Sequence, residues 1–413
     1  MMTKKDAIDC LKVFVKALVQ ARVKDDEGFR KWRSRPENEA LMARLFSYER
    51  EGDMPAVTAV VKPFFHPELP LIGLNYTPVA HNTLHKHHSG WTEPLRLCRG
   101  IVFSRRAALV ALPFEKFFNY GEHAETSDLS AYAGQPFSAT LKQDGHLAII
   151  FRFQGKVVAT TRGSFLSSSS LLANAMLSES RSDNLSESQP ESLAEKLLSS
   201  GAFGEDLTLL CELIHPDTHV IVDYGDRQEF VLIGARNRRT LEDYDWDRLS
   251  RLGERLGLTV TSRWQGQNLD DLLALVKQPQ YSNEEGFVVR FADGRRIKFK
   301  NAGYISMMLG EKLNHRYVML RLIDGSFEKR FADLDGEVKA LADKYRSELM
   351  AVFSVPVPTV EAKPKKKLVD PAVALKKARL AYLYGLVPEE ESTPYYRGIC
   401  RQFLNHQEKQ ENE

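Results

Sequence analysis

Ile8, Leu11, Val15 and Leu18 recur at helical spacing near the start of the chain, and residues 3–50 as a whole read as helical. Over 57–103 the pattern turns irregular, with short strand-like runs at 71–74 and 100–103. Residues 137–141 and 147–153 then read as strands. A Gln154-Gly155 turn returns the chain through 156–161 as the second arm of a hairpin. Residues 167–200 are serine-rich and look like a linker, although Leu171, Leu172, Ala175 and Leu177 fit one short helix and Leu193, Leu197 and Leu198 another. Strands resume at 207–214, 219–224 and 230–235, and 241–276 reads as helices. Residues 287–291, an Asp293-Gly294 turn and 296–300 make the clearest hairpin. Beyond about 305 the pattern is helical over 307–324, 335–353 and 371–384, with a loop at 355–358 followed by the lysine-rich 363–367. A domain boundary is expected near residue 305.

Composition narrows the class of protein more than its chemistry. The 413 residues are enough for roughly two or three domains. With 43% hydrophobic and 27% charged residues the chain is an ordinary globular one. A formal charge of +2 neither demands nor excludes a polyanionic partner, so local clusters must decide. Cys10, Cys98, Cys211 and Cys400 form no C-x-x-C pair, which argues against a zinc ribbon and a disulfide framework and favours a reducing cytoplasm. Lys12 and Lys16 interrupt any signal-peptide core, and no stretch approaches the roughly 18 apolar residues of a membrane span.

The candidate chemistry begins at Lys142-Gln143-Asp144-Gly145, between two strand-like runs. A lysine at the end of a strand can point into a cleft, and lysine can attack phosphorus and hold the product covalently. The hairpin that follows supplies charge. With Asp293 and Gly294 as the two central turn residues, Phe291 faces Arg296, Val289 faces Lys298 and Phe287 faces Lys300. Glu285, Phe287 and Val289 would then share a face with Arg296, Lys298 and Lys300, leaving Val288, Ile297 and Phe299 for the core. Lysines there would stabilise charge on a transferred phosphoryl group, and the acid would hold Mg²⁺ directly or through water. A solvated surface hairpin would carry the same residues.

Glu212 is the sole charge in the apolar run 208–214, so it needs a partner: a metal, a ribose hydroxyl or an arginine. Arg99, just before an apolar strand, suits a phosphate or a ribose. Lys116, among Phe114, Phe117 and Phe118, suits a stacked base and a phosphate, or a snorkelling position on the core. His81, His85 and His88 would share a helical face with His87 nearby, a pattern open to a metal or to a surface near a polyanion.

Taken together these segments resemble the covalent nucleotidyltransferase superfamily, specifically the RNA ligase 1 family of the T-even phage tRNA-repair type, over about 71–304. Leu97-Cys98-Arg99-Gly100-Ile101-Val102-Phe103 and Glu115-Lys116-Phe117-Phe118-Asn119 carry part of the likeness. Lys142-Gln143-Asp144-Gly145 is similar to motif I, Arg162-Gly163-Ser164 to motif Ia (where the family often has lysine), and Glu212 falls in motif III. Residues 231–237 resemble motif IIIa, Glu285-Gly286-Phe287 motif IV, and Lys298-Phe299-Lys300 motif V.

The resemblance implies an α+β fold: an antiparallel-sheet nucleotidyltransferase domain with flanking helices over 1–305, and an all-helical C-terminal domain over 306–413 that selects RNA. It implies an ATP-dependent RNA ligase that joins 5′-phosphate and 3′-OH RNA ends through lysyl-AMP and RNA-adenylate intermediates, in RNA or tRNA repair. Lys142 would be the nucleophile, with Lys298 and Lys300 at the α-phosphate. Arg99, Lys116, Asp144, Gly145, Arg162 and Glu212 would bind ATP, Glu285 the metal (Mg²⁺, with Mn²⁺ a substitute), and Tyr304 is a weaker carry-over. An end-healing kinase/phosphatase would be a partner. Lys363, Lys365, Lys366, Lys367, Lys376, Lys377 and Arg379 suit RNA phosphates or a solvated surface. The alternatives are another polynucleotide ligase, a capping-type nucleotidyltransferase, or a non-catalytic RNA-binding protein on a ligase scaffold.

Overall fold

The computed structural model describes residues 2–46, 60–78, 80, 91–132, 134–179, 191–266, 268–278, 283–331, 336–356 and 371–410. His81, His85, His87 and His88, and the lysines at 363–367, lie outside these residues. The chain divides into two compact units, one gathering Met1–Asn268 with Glu284–Lys300, the other Leu269–Asn283 with Asn301–Glu413.

In the first unit Thr3 opens helix Lys4–Gln20 with a capping box. Its hydroxyl accepts from the Asp6 amide while the Asp6 carboxylate accepts from the Thr3 amide, so two first-turn donors are satisfied at once. The stripe expected from spacing is buried: Ile8, Leu11, Val15 and Leu18 are at most 3% exposed. With helices Asp26–Arg33 and Pro36–Phe46, it packs on a first antiparallel sheet, β1 (Val61–Phe65), β2 (Leu71–Tyr76), β3 (Arg99–Ser104) and β4 (Leu109–Ala111), in that order. β1 falls in the stretch that reads as irregular, and β4 lies just beyond it. Pro63 interrupts one and three residues are too few to show alternation in the other.

The remaining strands are β5 (Phe118–Asn119), β6 (Phe137–Leu141), β7 (His146–Phe153), β8 (Lys156–Thr160), β9 (Leu207–Ile214), β10 (Glu229–Asn237), β11 (Gly286–Phe291) and β12 (Arg296–Lys300). β10-β9-β7-β8 form a second, antiparallel sheet. β5-β12-β11-β6 form a third, antiparallel except for the parallel pair β5–β12. Val102 and Val110 of the first sheet meet Ile149, Phe151 and Leu210 of the second. The other face of the second sheet, with Ala148, Ile150, Leu209 and Cys211, packs on helices Ser168–Ser178, Leu193–Ser199 and Trp246–Leu256.

The serine-rich segment is therefore part of the core where it is described, not a linker. Ala173, Leu177 and Leu197 are at most 1% exposed, and each fully buried leucine contributes about 1.5–3 kcal/mol. The strand expected at 219–224 does not form. A single 3₁₀ turn at Pro216–Thr218 leads into a loop whose amides turn inward to a carboxylate instead of pairing along a ladder.

The second unit is helical throughout its described residues. Val318, Met319, Phe331, Leu349, Leu383, Phe403 and Leu404 form its core. Helices Phe327–Phe331 and Pro394–Gln410 add to those read from the pattern. Lys376 donates to Asn405 at 2.8 Å, and Arg379 pairs with Glu408 at 3.2 Å, so both help hold helix Pro371–Tyr384 to helix Pro394–Gln410. No helix among the described residues is long and apolar enough to cross a membrane.

Candidate active site

β6 ends at Leu141, but its pairing with β11 runs one residue further: the Lys142 amide donates to the Gly286 carbonyl at 2.7 Å. The backbone of Lys142 is thus held in the third sheet. Gln143, Asp144 and Gly145 then carry the chain across to β7 in the second sheet. Asp144 pins this crossing. One carboxylate oxygen accepts from the amides of Ile221 and Val222, both at 2.9 Å, and the Asp144 amide donates to the Tyr224 hydroxyl at 2.9 Å. Gly145 lies so close to β9 that a Cβ would sit 2.4 Å from the Leu213 carbonyl. Its amide donates to Glu212 at 3.2 Å. The tetrapeptide is a joint between two sheets with a lysine at one end.

Glu285 sits immediately before β11 and is 3% exposed. Its carboxylate takes a close ion pair from Lys142 and a second from Lys300, at 2.8 Å. The φ of +133° at Gly286, open to glycine, sits between this carboxylate and the pleat of β11.

The hairpin register differs from the two-residue expectation. Arg290 pairs with Arg296, Val289 with Ile297, Val288 with Lys298, Phe287 with Phe299 and Gly286 with Lys300. The connection is a three-residue loop, Ala292-Asp293-Gly294, closed by the Phe291 amide on the Arg295 carbonyl, with Gly294 at φ +85°. That slip of one residue changes which side chains share a face. Val288 and Arg290, not Phe287 and Val289, lie with Arg296 and Lys298. Phe287, Val289, Ile297 and Phe299 are the buried set, at most 6% exposed.

Lys142, Gly145, Arg99, Arg162, Glu212 and Lys298 all line one cavity of about 790 Å³, within the size range of small-molecule sites. Lys116 does not line it; it is 6% exposed, with its ammonium 4.7 Å from the Phe118 ring centre and 5.6 Å from that of Trp91. Lys300 and Glu285 are joined to the cavity through Lys142. Asp144 does not line it, since its carboxylate is turned to the loop amides. Tyr304 is buried in the second unit.

Several cations crowd this region, Arg99, Lys142, Arg162 and Lys298 among them. Burial pushes Lys298 well below the usual lysine range, and Arg99, Lys116 and Lys142 push it the same way. Burial brings Lys116 down to about 8, against the pull of Glu122 and with Arg99 and Arg162 adding to the fall. Arg99 is lowered by burial, and one of its terminal nitrogens has no hydrogen-bond partner. Arg99 and Lys298 both lie over the ring of Phe117, at 5.6 and 4.8 Å. Burial raises Glu212 to about 7, with Lys142 opposing and Glu285 reinforcing the rise. A site that desolvates cations beside one another, and leaves a guanidinium nitrogen unpaired, is matched to a multiply charged anion.

Among the described residues no three His, Cys, Asp or Glu side chains converge as a protein-only metal cage. Glu212 and Glu285, close enough to influence each other, are the kind of sparse carboxylate set that Mg²⁺ uses when phosphates and water complete its shell.

Comparison with known proteins gives the family. A model of the RNA ligase family matches residues 97–304, half of the chain. The chain belongs to the RNA ligase family. A Thermovibrio ammonificans protein that carries an RNA ligase name is 30% identical over 206 residues, 48% of each chain, so this protein spans about half the length of that relative. Partial backbone likeness extends to an archaeal ATP-dependent RNA ligase, with a TM-score of 0.44 and 14% identity over 71% of this chain and 76% of that one. A Naegleria gruberi RNA ligase with AMP and Mn overlaps less, with a TM-score of 0.32 and 15% identity over 43% of this chain and 52% of that one.

Within this RNA ligase family member the cavity also takes in residues that the sequence did not single out. Phe117, Gln143, His146, Trp246, Val288 and Arg290 line it. A three-residue turn would have placed Val288 and Arg290 there. Trp246 reaches it by donating its indole N–H to the Thr261 carbonyl at 2.9 Å, a long-range contact with no local signature.

Proposed function

We propose that the protein is an ATP-dependent RNA ligase working through a covalent lysine adenylate. The neutral Lys142 amine attacks the α-phosphorus of ATP. A P–N bond forms, the bond to the β-phosphate oxygen breaks, pyrophosphate leaves and the nitrogen gives up a proton. A 5′-phosphate of RNA next takes the adenylyl group from Lys142. An RNA 3′-OH then attacks that activated phosphate, releasing AMP and closing the strand.

The observation that carries this reading is the joining of Lys142, Glu285 and Lys300 by ion pairs at the edge of a cavity that also holds Arg99, Arg162 and Lys298. Glu285 receives Lys142, holds it toward the cavity, and takes the ammonium proton that Lys142 must lose before it attacks, while the second proton, released on attack, leaves to water with the pyrophosphate. Lys298, Arg99, Lys116 and Arg162 neutralise the triphosphate, which relieves their mutual repulsion and stabilises charge on the leaving pyrophosphate. Glu212 suits a ribose hydroxyl. Asp144 positions Lys142 through the loop at 221–222. Glu285 and Glu212 would hold Mg²⁺ or Mn²⁺, which would supply charge neutralisation at the phosphates. The helical residues 306–413 would select the RNA, a nicked tRNA being one substrate that an end-healing kinase/phosphatase would prepare.

The test is covalent labelling. Incubation with ATP labelled in the α-phosphate should leave label on denatured protein, and Lys142→Ala should remove it. Wild-type labelling by the variant would overturn the assignment.

A further inference from the structure

The peptide units on either side of Lys142 are each held by a hydroxyl from a distant part of the chain. Thr261 donates its hydroxyl to the Leu141 carbonyl at 2.7 Å. The Tyr224 hydroxyl accepts from the Asp144 amide at 2.9 Å. The Gln143 side chain spans the gap between these two hydroxyls. Its Nε2 donates to Thr261 at 3.4 Å, and its Oε1 accepts from Tyr224 at 3.3 Å.

What each partner can offer fixes the direction of every bond. A carbonyl only accepts, so the Thr261 proton goes to Leu141 and its oxygen takes an N–H from Gln143. A backbone amide only donates, so the Tyr224 oxygen accepts from Asp144 and its proton goes to Gln143. One orientation of the Gln143 amide serves both hydroxyls. Burial pushes the Tyr224 hydroxyl up to about 12, against the pull of the Asp144 amide, so it stays a donor at neutral pH. Gln143 is 8% exposed and Thr261 1%, so little water competes for these bonds.

Thr261 is itself anchored between two sheets. The Leu232 amide of β10 donates to the Thr259 carbonyl at 2.7 Å, and the Thr261 amide donates back to the Leu232 carbonyl at 3.0 Å. On the other side the Leu141 amide of β6 donates to Ser262, and the Trp264 amide to Ala139, both at 2.9 Å. The stretch 259–264 is thus a strap from the second sheet to the third, and its threonine meets β6 at the peptide that leads into Lys142. Neither Thr261 nor Tyr224 lines the large cavity.

Resting on the ligase reading, we propose that Thr261 and Tyr224 are positioning residues for Lys142. Their hydroxyls, joined through Gln143, fix the backbone before and after the lysine and so set where its side chain starts. A lysine stem is long and flexible, so rotation of its flanking peptides moves the amine. Misplacing a reacting atom by about 1 Å can cost about 10²-fold in rate. The same nitrogen enters when ATP is cleaved and leaves when AMP passes to RNA, so both steps depend on this frame.

The test uses the full chain and single-turnover labelling by ATP. Thr261→Val and Tyr224→Phe each remove one hydroxyl and keep the shape of the side chain. At saturating ATP, labelling of Lys142 should slow about tenfold in each, a fraction of what a 1 Å displacement costs. The KM for ATP should stay within about twofold of wild type, because neither residue binds the nucleotide. Transfer of AMP from labelled enzyme to a 5′-phosphorylated RNA oligonucleotide should slow to a similar degree. Thr261→Ser, which keeps the hydroxyl, should restore both rates. The double variant should lose less than the product of the two single losses, since both act through Gln143. A raised KM with unchanged rates would make these hydroxyls nucleotide contacts and overturn the proposal. So would unchanged labelling, a loss that Thr261→Ser shares in full, or losses in both variants that only follow the folded fraction measured by denaturation. Wild-type protein that takes no label would overturn the ligase reading itself, whereas labelled wild type with indifferent variants would overturn the positioning role alone.

Discussion

On the proposed reading, Lys116 shows how burial would tune a single residue for phosphate. Its pKa falls to about 8 because burial among aromatic rings disfavours its charge and nearby arginines add to that. Between about 8 and its ordinary 10.5 the unfolded chain binds more protons than the folded one, so this residue's contribution to stability grows as pH rises through that window. Phosphate binding runs the other way, because it needs the ammonium. The KM for ATP should therefore rise as pH climbs through about 8, and Lys116→Arg, which stays charged, should flatten the rise. A wild-type KM that is level across that range would remove Lys116 from the phosphates. Glu212 has the opposite sign: raised to about 7, it binds more protons when folded, and its contribution to stability falls as pH rises from its ordinary 4.5 toward 7. Gly145 is decided by space instead of charge. Gly145→Ala must move either Leu213 or the joint, at a cost of roughly 1–3 kcal/mol, and should slow lysine labelling more than it lowers the denaturant midpoint.

At the scale of elements, one turn residue settles which valine faces the cavity. Val289 is fully buried and Val288 lines the cavity. Val289→Ala should cost about 2 kcal/mol of stability by chemical denaturation, whereas Val288→Ala should cost under about 1 kcal/mol and raise the KM for ATP. The reverse pattern would restore the two-residue turn. Much of this hairpin was legible from its pattern: both strands and the glycine turn. Its register was not, because Asp-Gly serves two-residue and three-residue loops alike. The strand expected at 219–224 failed for a similar reason. Its short apolar run, Val220-Ile221-Val222, is real, but Ile221 and Val222 donate their amides to Asp144, a partner far along the chain. Helix Pro394–Gln410 carries Tyr396, Ile399, Cys400 and Phe403 at helical spacing, embedded in a polar tail that hides the stripe.

For the whole molecule, the two units offer a division of labour that can be measured. Removing residues 306–413 should spare lysine labelling more than strand sealing, assayed on the same preparation with its fold checked by circular dichroism. Equal loss of both, with a folded remainder, would count against separate roles. The cut has a structural cost, because helix Leu269–Val276, which carries the buried Leu272 and Val276, is grouped with the second unit and would be left without most of it. Polar substitutions at those two positions should keep the shortened chain from aggregating.

Asp144 grips the loop at 221–222 through the main-chain N–H groups of both residues. Whatever side chains that loop carries, the bond can persist, provided the loop keeps its length and path. Across relatives, drift in the identity of residues 221 and 222 should be well tolerated, while a one-residue insertion beside them would pull on the carboxylate and, through two peptide units, displace Lys142.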